Sequence, residues 1–463
     1  MRIRDLIQYR PKRNVPAFRG KNIYRCAFAV FALALACLLA PAWSVRAEPA
    51  ADVRTWTSSS GQKVEAQFIR LDGVMVVLRN SAKGDLRIKR SALSAEDNEY
   101  LDKVAPVPVS DLLVGEWWGW QATPDRPWQF KLTITRSGSR LVGKGYMRRC
   151  MTEAEAAAAL AKKLKKTDAY KMAALIECNF DITVTNDTVT LVSKNLKEIF
   201  SPGDIKLTSN TYTGVFKKPG IVVGEWSAEG ANGLFRLAKN GVLDTPPPLE
   251  LEKGRVHKDI SPLDGGPYHY SVYIPKSYDH QKPTPLLVNS SPSANASPLS
   301  QRAAEKHGWI MIGIKEDSNN ATWDVSHGSV MTSIFDCMRR FNIHKQRIVF
   351  SGLSGGSRRA SSNIACYPDF SAGAICIGAG FIYNDKGEYY VPDIKKPIFF
   401  ITGTNDNVVK DEVIRHHKEA VQQKRVTEIA THDKGHSWGP PELHEQAVDW
   451  FETLWEKKNA KQK

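Results

Sequence analysis

Residues 347–358 read RIVFSGLSGGSR. Within them, residues 352–356 fit the pattern G-x-S-x-G, with an apolar run of strand character before and small residues, 360–365, able to open a helix after. This context predicts a nucleophile elbow, a tight strand-to-helix turn that holds Ser354 at the top of a sheet. Glycines flank the serine because larger side chains would collide there. The alternative interpretation is a glycine-rich surface loop.

Asp406 and His436, both downstream of Ser354, stand where its catalytic partners are expected. A serine hydroxyl becomes an effective nucleophile when a histidine takes its proton and an acid orients that histidine. Behind an elbow, the order along the chain is Ser, Asp or Glu, then His. Asp406 follows an apolar predicted strand, and His436 lies in the loop after a predicted strand at 426–430. Each alone is typical of a turn or surface position, but together they predict a catalytic triad.

Residues 268–455 resemble the α/β-hydrolase superfamily, and within it secreted esterases similar to polyhydroxybutyrate depolymerases and feruloyl or acetylxylan esterases. The matching segments are YIPKSY (273–278), GLSGG (352–356), GTND (403–406) and GHSW (435–438). The resemblance implies Ser354 as nucleophile, His436 as base and Asp406 as its orienting acid. It implies no metal or cofactor.

The sequence departs from these esterases where they commonly carry His-Gly, because residues 289–292 read NSSP. The backbone amide of Gly355 is predicted to be one oxyanion donor. The second donor is predicted to be an amide near Ser290 or Ser291, or the Asn289 side chain. Losing one donor typically costs about 10²- to 10³-fold in turnover, so a weak, specialised or inactive esterase is an open alternative.

Four residues are predicted to contact the substrate. Asn289 follows a strand, Asn320 and Trp323 belong to a loop at 316–323, and Trp438 follows His436 by two residues. The loop at 316–323 fits a surface exposed to solvent equally well.

Alternating strands and helices over residues 255–460 predict an α/β-hydrolase domain with a mostly parallel sheet and helices on both faces. The segment TPPP at 245–248 marks its boundary with the preceding domain. The expected chemistry is hydrolysis of a carboxylic ester, with acyl groups on polysaccharides as one candidate substrate. A serine peptidase, and a scaffold or carbohydrate-binding protein with an inert hydrolase fold, are alternatives.

The first 47 residues predict an export signal. A basic start precedes an apolar run at 26–40 and an A-x-A-like cleavage site at 45–47. A membrane span needs about 20 apolar residues, so cleavage and release into the periplasm or outside the cell are favoured over a retained anchor. Without this segment the formal net charge of +15 falls to +7 for residues 48–463. No helix clusters Arg and Lys, so nucleic acid is not an expected partner.

Residues 54–103 predict a small β-barrel made of four short strands. They resemble the SLA-homology module, a barrel similar to Src-homology-3 domains. The matching residues are Trp56-Thr57, Val64-Glu65-Ala66 and Leu93-Ser94 with Glu96-Asp97. A binding role and a spacing role are both open.

Residues 109–245 predict a β-rich barrel or sandwich with a helical insertion at 152–177. VGEW at 114–117 recurs at 223–226, so the first and a late strand are expected to pair and close the domain. Its tryptophans, Trp117, Trp118, Trp120 and Trp128, could form a sugar-stacking platform, but a core role is favoured. Alternation places Trp118 and Trp120 on one face of a strand.

The insertion begins with a capping box made by Thr152 and Glu155. Cys150 and Cys178 bracket it, and one straight helix would hold them about 40 Å apart. We therefore predict a helical hairpin closed by a disulfide between Cys150 and Cys178.

Overall fold

The computed structural model describes residues 53–72, 75–105, 107–123, 127–164, 173–201, 205–217, 220–240, 250–381 and 396–460. The chain divides into two units, residues 1–105 and 106–463. The predicted export signal at 1–47 lies outside the described residues. In the described part of the chain, no helix has the length and apolar character needed to cross a membrane.

The first unit is a four-stranded antiparallel sheet with one helix. Its elements are β1 (Val53–Thr57), β2 (Lys63–Asp72), β3 (Met75–Asn80), β4 (Gly84–Lys89), a 3-10 turn (Arg90–Ala92) and α1 (Ala95–Val104). The strands pair in sequence order, and their alternating apolar residues pack with Leu93 and Leu101 around the fully buried Trp56.

The four strands of this unit form a sheet whose ends are joined by an isolated antiparallel bridge between Ser58 and Leu93. The assignment of residues 54–103 to a small β-barrel stays a prediction. The chain after β4 turns into α1 instead of returning as a strand, because Ser94 caps that helix by accepting from the amide of Asp97.

The second unit begins with an eight-stranded barrel. Its elements are α2 (Val109–Leu112), β5 (Gly115–Gln121), β6 (Trp128–Ser137), β7 (Arg140–Arg149), α3 (Glu153–Leu160), β8 (Ala174–Thr185), β9 (Thr188–Phe200), β10 (Thr211–Lys217), β11 (Ile221–Ala228) and β12 (Ala231–Lys239). Neighbours in sequence pair antiparallel, and β12 closes the barrel against β5. The predicted closure is therefore present, although the repeat at 223–226 lies in β11, one strand away from β5.

Alternation along the strands fills the barrel. In β6, for example, Phe130, Leu132 and Ile134 are buried in the interior while Lys131 and Thr133 are exposed. The favoured core role of the tryptophans is confirmed for Trp117, Trp120 and Trp128, each at most 8% exposed. Trp118 and Trp120 share the outward face of β5, as predicted.

The helical insertion is shorter than predicted. The capping box is present, with Thr152 accepting from the amide of Glu155 and the Glu155 side chain accepting from the amide of Thr152, and α3 follows it directly. Residues 174–177 belong to β8, so the predicted hairpin does not extend to 177. Residues 165–172 of the predicted hairpin lie outside the described residues.

The predicted disulfide between Cys150 and Cys178 is wrong. Neither sulfur is bonded in a disulfide. Cys178 pairs with Gly145 in the β7–β8 ladder and points into the barrel interior. Cys150 lies beyond the end of β7 and packs on the other side of the barrel wall, 4.0 Å from the sulfur of Cys366. The two cysteines are therefore buried in different cores.

The rest of the second unit is a three-layer α/β domain. Its elements are β13 (Val256–Ile260), β14 (Tyr270–Tyr273), β15 (Thr284–Ser290), α4 (Gln301–His307), β16 (Ile310–Ile314), α5 (Trp323–Arg340), β17 (Ile343–Leu353), α6 (Gly355–Cys366), β18 (Ser371–Ile377), β19 (Ile398–Gly403), α7 (Lys410–Gln422), β20 (Thr427–His432) and α8 (Pro441–Ala460).

The sheet of this domain has the strand order β13-β14-β16-β15-β17-β18-β19-β20. Among the described strands, β14 alone runs in the opposite direction, antiparallel to its neighbours β13 and β16, and every other neighbouring pair is parallel. Successive strand residues alternate between two cores: Ile348 and Phe350 face α5, α6 and α7, whereas Val349 faces α4 and α8. The predicted mostly parallel sheet with helices on both faces is therefore present.

The barrel packs on the layer formed by α5 and α6. The ring of Trp118 lies 4.8 Å from that of Phe335 in α5. The Gln129 amide donates to the carbonyl of Cys366, and Arg148 forms an ion pair of 2.6 Å with Asp369. These contacts lie at the end of α6 farthest from Ser354, so the barrel leaves the elbow end of the sheet to the loops described next.

Candidate active site

Ser354 stands alone between β17 and α6, as the predicted elbow requires. Its backbone has φ 57° and ψ −118°, a conformation that non-glycine residues rarely adopt. Such strain persists only where the surroundings hold it, and here the Ser354 amide donates to the carbonyl of Ile377 at 2.8 Å. The turn leaves Ser354 partly exposed between a buried strand and a buried helix.

Glycine is required on both sides of the serine because the backbone of the neighbouring strand lies against the turn. A Cβ on Gly356 would lie 2.5 Å from the carbonyl oxygen of Ser290, and a Cβ on Gly352 would lie 2.4 Å from the carbonyl carbon of Gly356. The spacing of the motif thus follows from the close approach of β15, the elbow and the first turn of α6.

Asp406 and His436 are brought together by the loops after β19 and β20. Nδ1 of His436 lies 2.8 Å from Oδ2 of Asp406, which is 1% exposed, while the imidazole remains partly exposed. A carboxylate can only accept, so Nδ1 is the donor and Nε2 is left as an acceptor. This is the orientation and tautomer that a general base needs.

The carboxyl of Asp406 is held in its charged form. Burial acts to raise its pKa, but hydrogen bonds from His436 and from the amides of Val408 and Val409 outweigh that effect. The pKa of Asp406 therefore lies below its usual value, and the side chain is ionised at neutral pH.

The imidazole of His436 lies next to the strand end that also holds the serine. Its Cε1 and Nδ1 atoms lie 3.2 and 3.3 Å from the position that a Cβ on Gly378 would take. Gly378 directly follows Ile377, whose carbonyl accepts from Ser354. Ser354, Asp406 and His436 thus follow β17, β19 and β20 at the same end of the sheet, in which β18 lies between β17 and β19.

The predicted oxyanion donors lie beside the elbow. Gly355 is the first residue of α6, where backbone amides have no partner within the helix. Ser290 ends β15, pairs with Gly352, and Ser291 follows it. The amide nitrogen of Ser291 lies 3.3 Å from the position of a Cβ on Gly356, so the turn after β15 borders the first turn of α6.

The Asn289 side chain is engaged within its own loop. It is buried, at 2% exposure, and its side-chain amide donates to the carbonyl of Ser297 at 2.8 Å. Its role as an oxyanion donor or substrate contact stays a prediction. Its side chain fastens the loop that follows β15.

The other predicted substrate contacts occupy different surroundings. Asn320 is exposed, and its backbone amide donates to the hydroxyl of Ser318. Trp323 opens α5 and stacks on His327, 5.4 Å between ring centres. Trp438 is half-buried against the core that faces α4 and α8. Contact of these three residues with a substrate stays a prediction.

Asn319, one residue before the predicted Asn320, lies nearest to the elbow in this loop. Its Oδ1 atom is 1.7 Å from the position that a Cβ on Gly355 would take, and its backbone amide donates to the carbonyl of Pro292. The sequence singles out the loop at 316–323 but gives no signal for which of two adjacent asparagines turns toward the serine.

Within the described residues, no cluster of three or more His, Cys, Asp or Glu side chains has the arrangement of a metal site.

Comparisons with known proteins give one family match. Residues 45–107 match SLA1 homology domain 1, SHD1. This match bears out the resemblance noted for the first unit and covers no residue of the candidate active site. No curated protein sequence matches the chain.

Several solved structures are similar to part of the chain. One is a ferulic acid esterase with 14% identity and a TM-score of 0.34, covering 42% of this chain and 96% of that one. Another is the S-formylglutathione hydrolase FrmB from Staphylococcus aureus, with 14% identity, a TM-score of 0.35, and coverage of 44% and 99%. A third is an acetyl xylan esterase from Aspergillus awamori, with 11% identity, a TM-score of 0.33, and coverage of 43% and 99%.

Proposed function

We propose that this protein is a serine hydrolase that cleaves carboxylic esters with Ser354 as nucleophile, His436 as general base and Asp406 as the acid that orients the histidine. The observation that carries the proposal is the hydrogen bond between Asp406 and His436 at the sheet end where Ser354 occupies a strained elbow. The elbow exposes one hydroxyl, and the Asp406–His436 pair supplies an acceptor for its proton.

The first half of the reaction forms an acyl-enzyme. Oγ of Ser354 attacks the ester carbonyl carbon while Nε2 of His436 takes the hydroxyl proton. The negative charge that develops on the carbonyl oxygen is stabilised by the amide of Gly355 and by an amide of the turn at Ser290 and Ser291. The C–O bond of the ester then breaks, and His436 returns the proton to the departing alcohol.

The second half releases the acid. A water molecule gives its proton to His436 and attacks the acyl carbon, and the resulting intermediate expels Ser354, which regains the proton. The ionised Asp406 stabilises the imidazolium that forms in both halves. No step requires a group beyond these side chains, the amides and water.

We further propose export of the protein and action on acyl groups carried by polysaccharides. Support for both comes from the sequence: an export signal is predicted at 1–47, and residues 268–455 resemble secreted esterases. A protein that keeps residues 1–47 and stays in the cytosol on cell fractionation would contradict the export proposal.

Hydrolysis of an ester panel by the purified protein tests the activity. We expect release of acid from acetyl, feruloyl or longer-chain esters, abolished by Ser354→Ala and retained by Ser357→Ala, whose hydroxyl is buried against the carbonyl of Ala379. Cleavage of peptide anilides alone would favour a peptidase. A folded protein inactive on every ester and anilide would favour the inert scaffold.

A further inference from the structure

A buried ion pair lies beneath the turn that carries the second oxyanion donor. Nε of Arg359 in α6 is 2.5 Å from Oδ1 of Asp317, which follows β16 by three residues. The two side chains are 10% and 0% exposed. The contact uses Nε, so the Nη1 and Nη2 donors of the guanidinium remain for other partners.

Both members of the pair contact the turn at consecutive residues. Nη2 of Arg359 donates to the carbonyl of Ser291 at 3.1 Å. The Ser290 hydroxyl interacts with the carboxylate of Asp317. The same carboxylate accepts from the hydroxyl of Ser326 in α5 at 2.7 Å. Asp317 and Arg359 therefore connect the turn after β15 to the loop after β16 and to both helices that flank the elbow.

The turn has little room to shift. The carbonyl oxygen of Ser290 would be 2.5 Å from a Cβ on Gly356 and 2.7 Å from one on Gly352, so the backbone of the turn rests on the elbow. A movement of about 1 Å near reacting groups can cost about 10²-fold in rate. The geometry of the second donor thus depends on whatever holds Ser290 and Ser291 in place.

Stability gives little reason for burying this pair. Taking two charges out of water costs several kcal/mol, and well-packed apolar residues of similar volume are often as stable. A guanidinium, by contrast, can hold a carboxylate and a carbonyl at once in a fixed geometry, which an ammonium group cannot.

We infer that Arg359 and Asp317 are positioning residues that fix the Ser290–Ser291 turn, so that its backbone amide meets the developing oxyanion. This inference rests on the proposed function. It explains how a chain with NSSP at 289–292 can form the second oxyanion donor, which the esterases it resembles form after His-Gly. The ion pair holds the backbone of the turn in a fixed position.

The test compares Arg359→Lys with the wild-type protein. Lysine keeps the charge beside Asp317 but loses the simultaneous bond to Ser291. We expect a kcat lowered about ten- to a hundredfold with KM nearly unchanged, because the oxyanion forms only in the transition state. An arylboronic acid, which forms a tetrahedral adduct with the serine, should bind more weakly by a similar factor.

Arg148→Lys is the matched control, because Arg148 also forms a half-buried pair, with Asp369, at the far end of α6. It should change thermal stability without changing kcat. If Arg359→Lys unfolds, the double variant Asp317→Leu with Arg359→Met removes both charges without leaving one buried, and the same loss of kcat is expected.

Two outcomes would overturn the inference separately from the proposed function. If the wild-type protein hydrolyses esters and the folded Arg359 variants keep its kcat and boronate affinity, the pair is merely structural. If the wild-type protein hydrolyses no ester and binds no boronate, the proposed function fails and this inference fails with it.

Discussion

At the scale of single residues, the site depends on one strained backbone and one oriented imidazole. Ser354 adopts φ 57° because Gly352 and Gly356 let β15 and α6 approach it closely. The resulting exposure of the hydroxyl could be predicted from the sequence, since the motif carries its own local geometry. The hydrogen bond from the Asn289 side chain to the carbonyl of Ser297 could not be predicted, because it depends on the path of the loop between these residues.

Replacing the orienting acid should damage catalysis more than folding. In Asp406→Asn the amide can donate to Nδ1 of His436, which stabilises the tautomer whose Nε2 carries the proton and cannot accept from Ser354. We expect kcat to fall by about 10³- to 10⁴-fold with KM little changed. Steady-state kinetics measure this, with the exposed Asp433→Asn as a control that keeps full activity. Equal activity of both variants would contradict the assigned role of Asp406.

At the scale of elements, the sequence predicts local features such as helix caps correctly, but it does not always predict the core into which a side chain is buried. The capping box of Thr152 and Glu155 starts α3 where the sequence predicts it. The pairing of Cys150 with Cys178 fails because strand register sends Cys178 into the barrel and Cys150 toward Cys366. Register depends on partners distant in sequence, so spacing alone cannot give it.

Helix α7 makes the stability of the α/β domain depend on pH. His416 is fully buried, its Nδ1 accepts from the amide of Phe381, and burial lowers its pKa from 6.5 to about 4. The neutral form is thus favoured in the folded state. The contribution of neutral His416 to the free energy of unfolding is complete above pH 6.5. It is lost as the pH falls from 6.5 toward 4, by up to about 3 kcal/mol.

His416→Asn isolates this effect, because the asparagine side-chain oxygen can accept from the amide of Phe381 without titrating. Between pH 7 and pH 4.5 the free energy of unfolding in urea should fall less for the variant than for the wild-type protein. An equal fall in both proteins would show that His416 does not contribute to the pH dependence.

At the scale of the second unit, the barrel covers one helical layer of the α/β domain with aromatic and ionic contacts. Trp118 and Trp120 share a face, as predicted, and that face packs against Met331, Phe335 and Phe370, with which the two tryptophans also line a cavity. The sequence indicates both domains but does not predict the contact between them. An apolar strand face indicates that the face is buried, but it does not identify the element that covers it.

A double-mutant cycle measures this contact. Trp118→Ala and Phe335→Ala should each destabilise the protein, and the double variant should lose less than the sum, with a coupling of about 1 kcal/mol from the ring pair. Urea unfolding of the four proteins gives the value. Full additivity would mean that the two rings do not interact.

The central claim is that Ser354 is a nucleophile activated by His436 and Asp406. Labelling with a fluorophosphonate, followed by mass mapping of the modified peptide, tests it most directly. We predict one phosphonate on Ser354 at neutral pH, labelling slowed by orders of magnitude in His436→Ala and Asp406→Asn, and none in Ser354→Ala. A folded wild-type protein that takes up no label, or takes it up at the same rate without His436, would contradict the account.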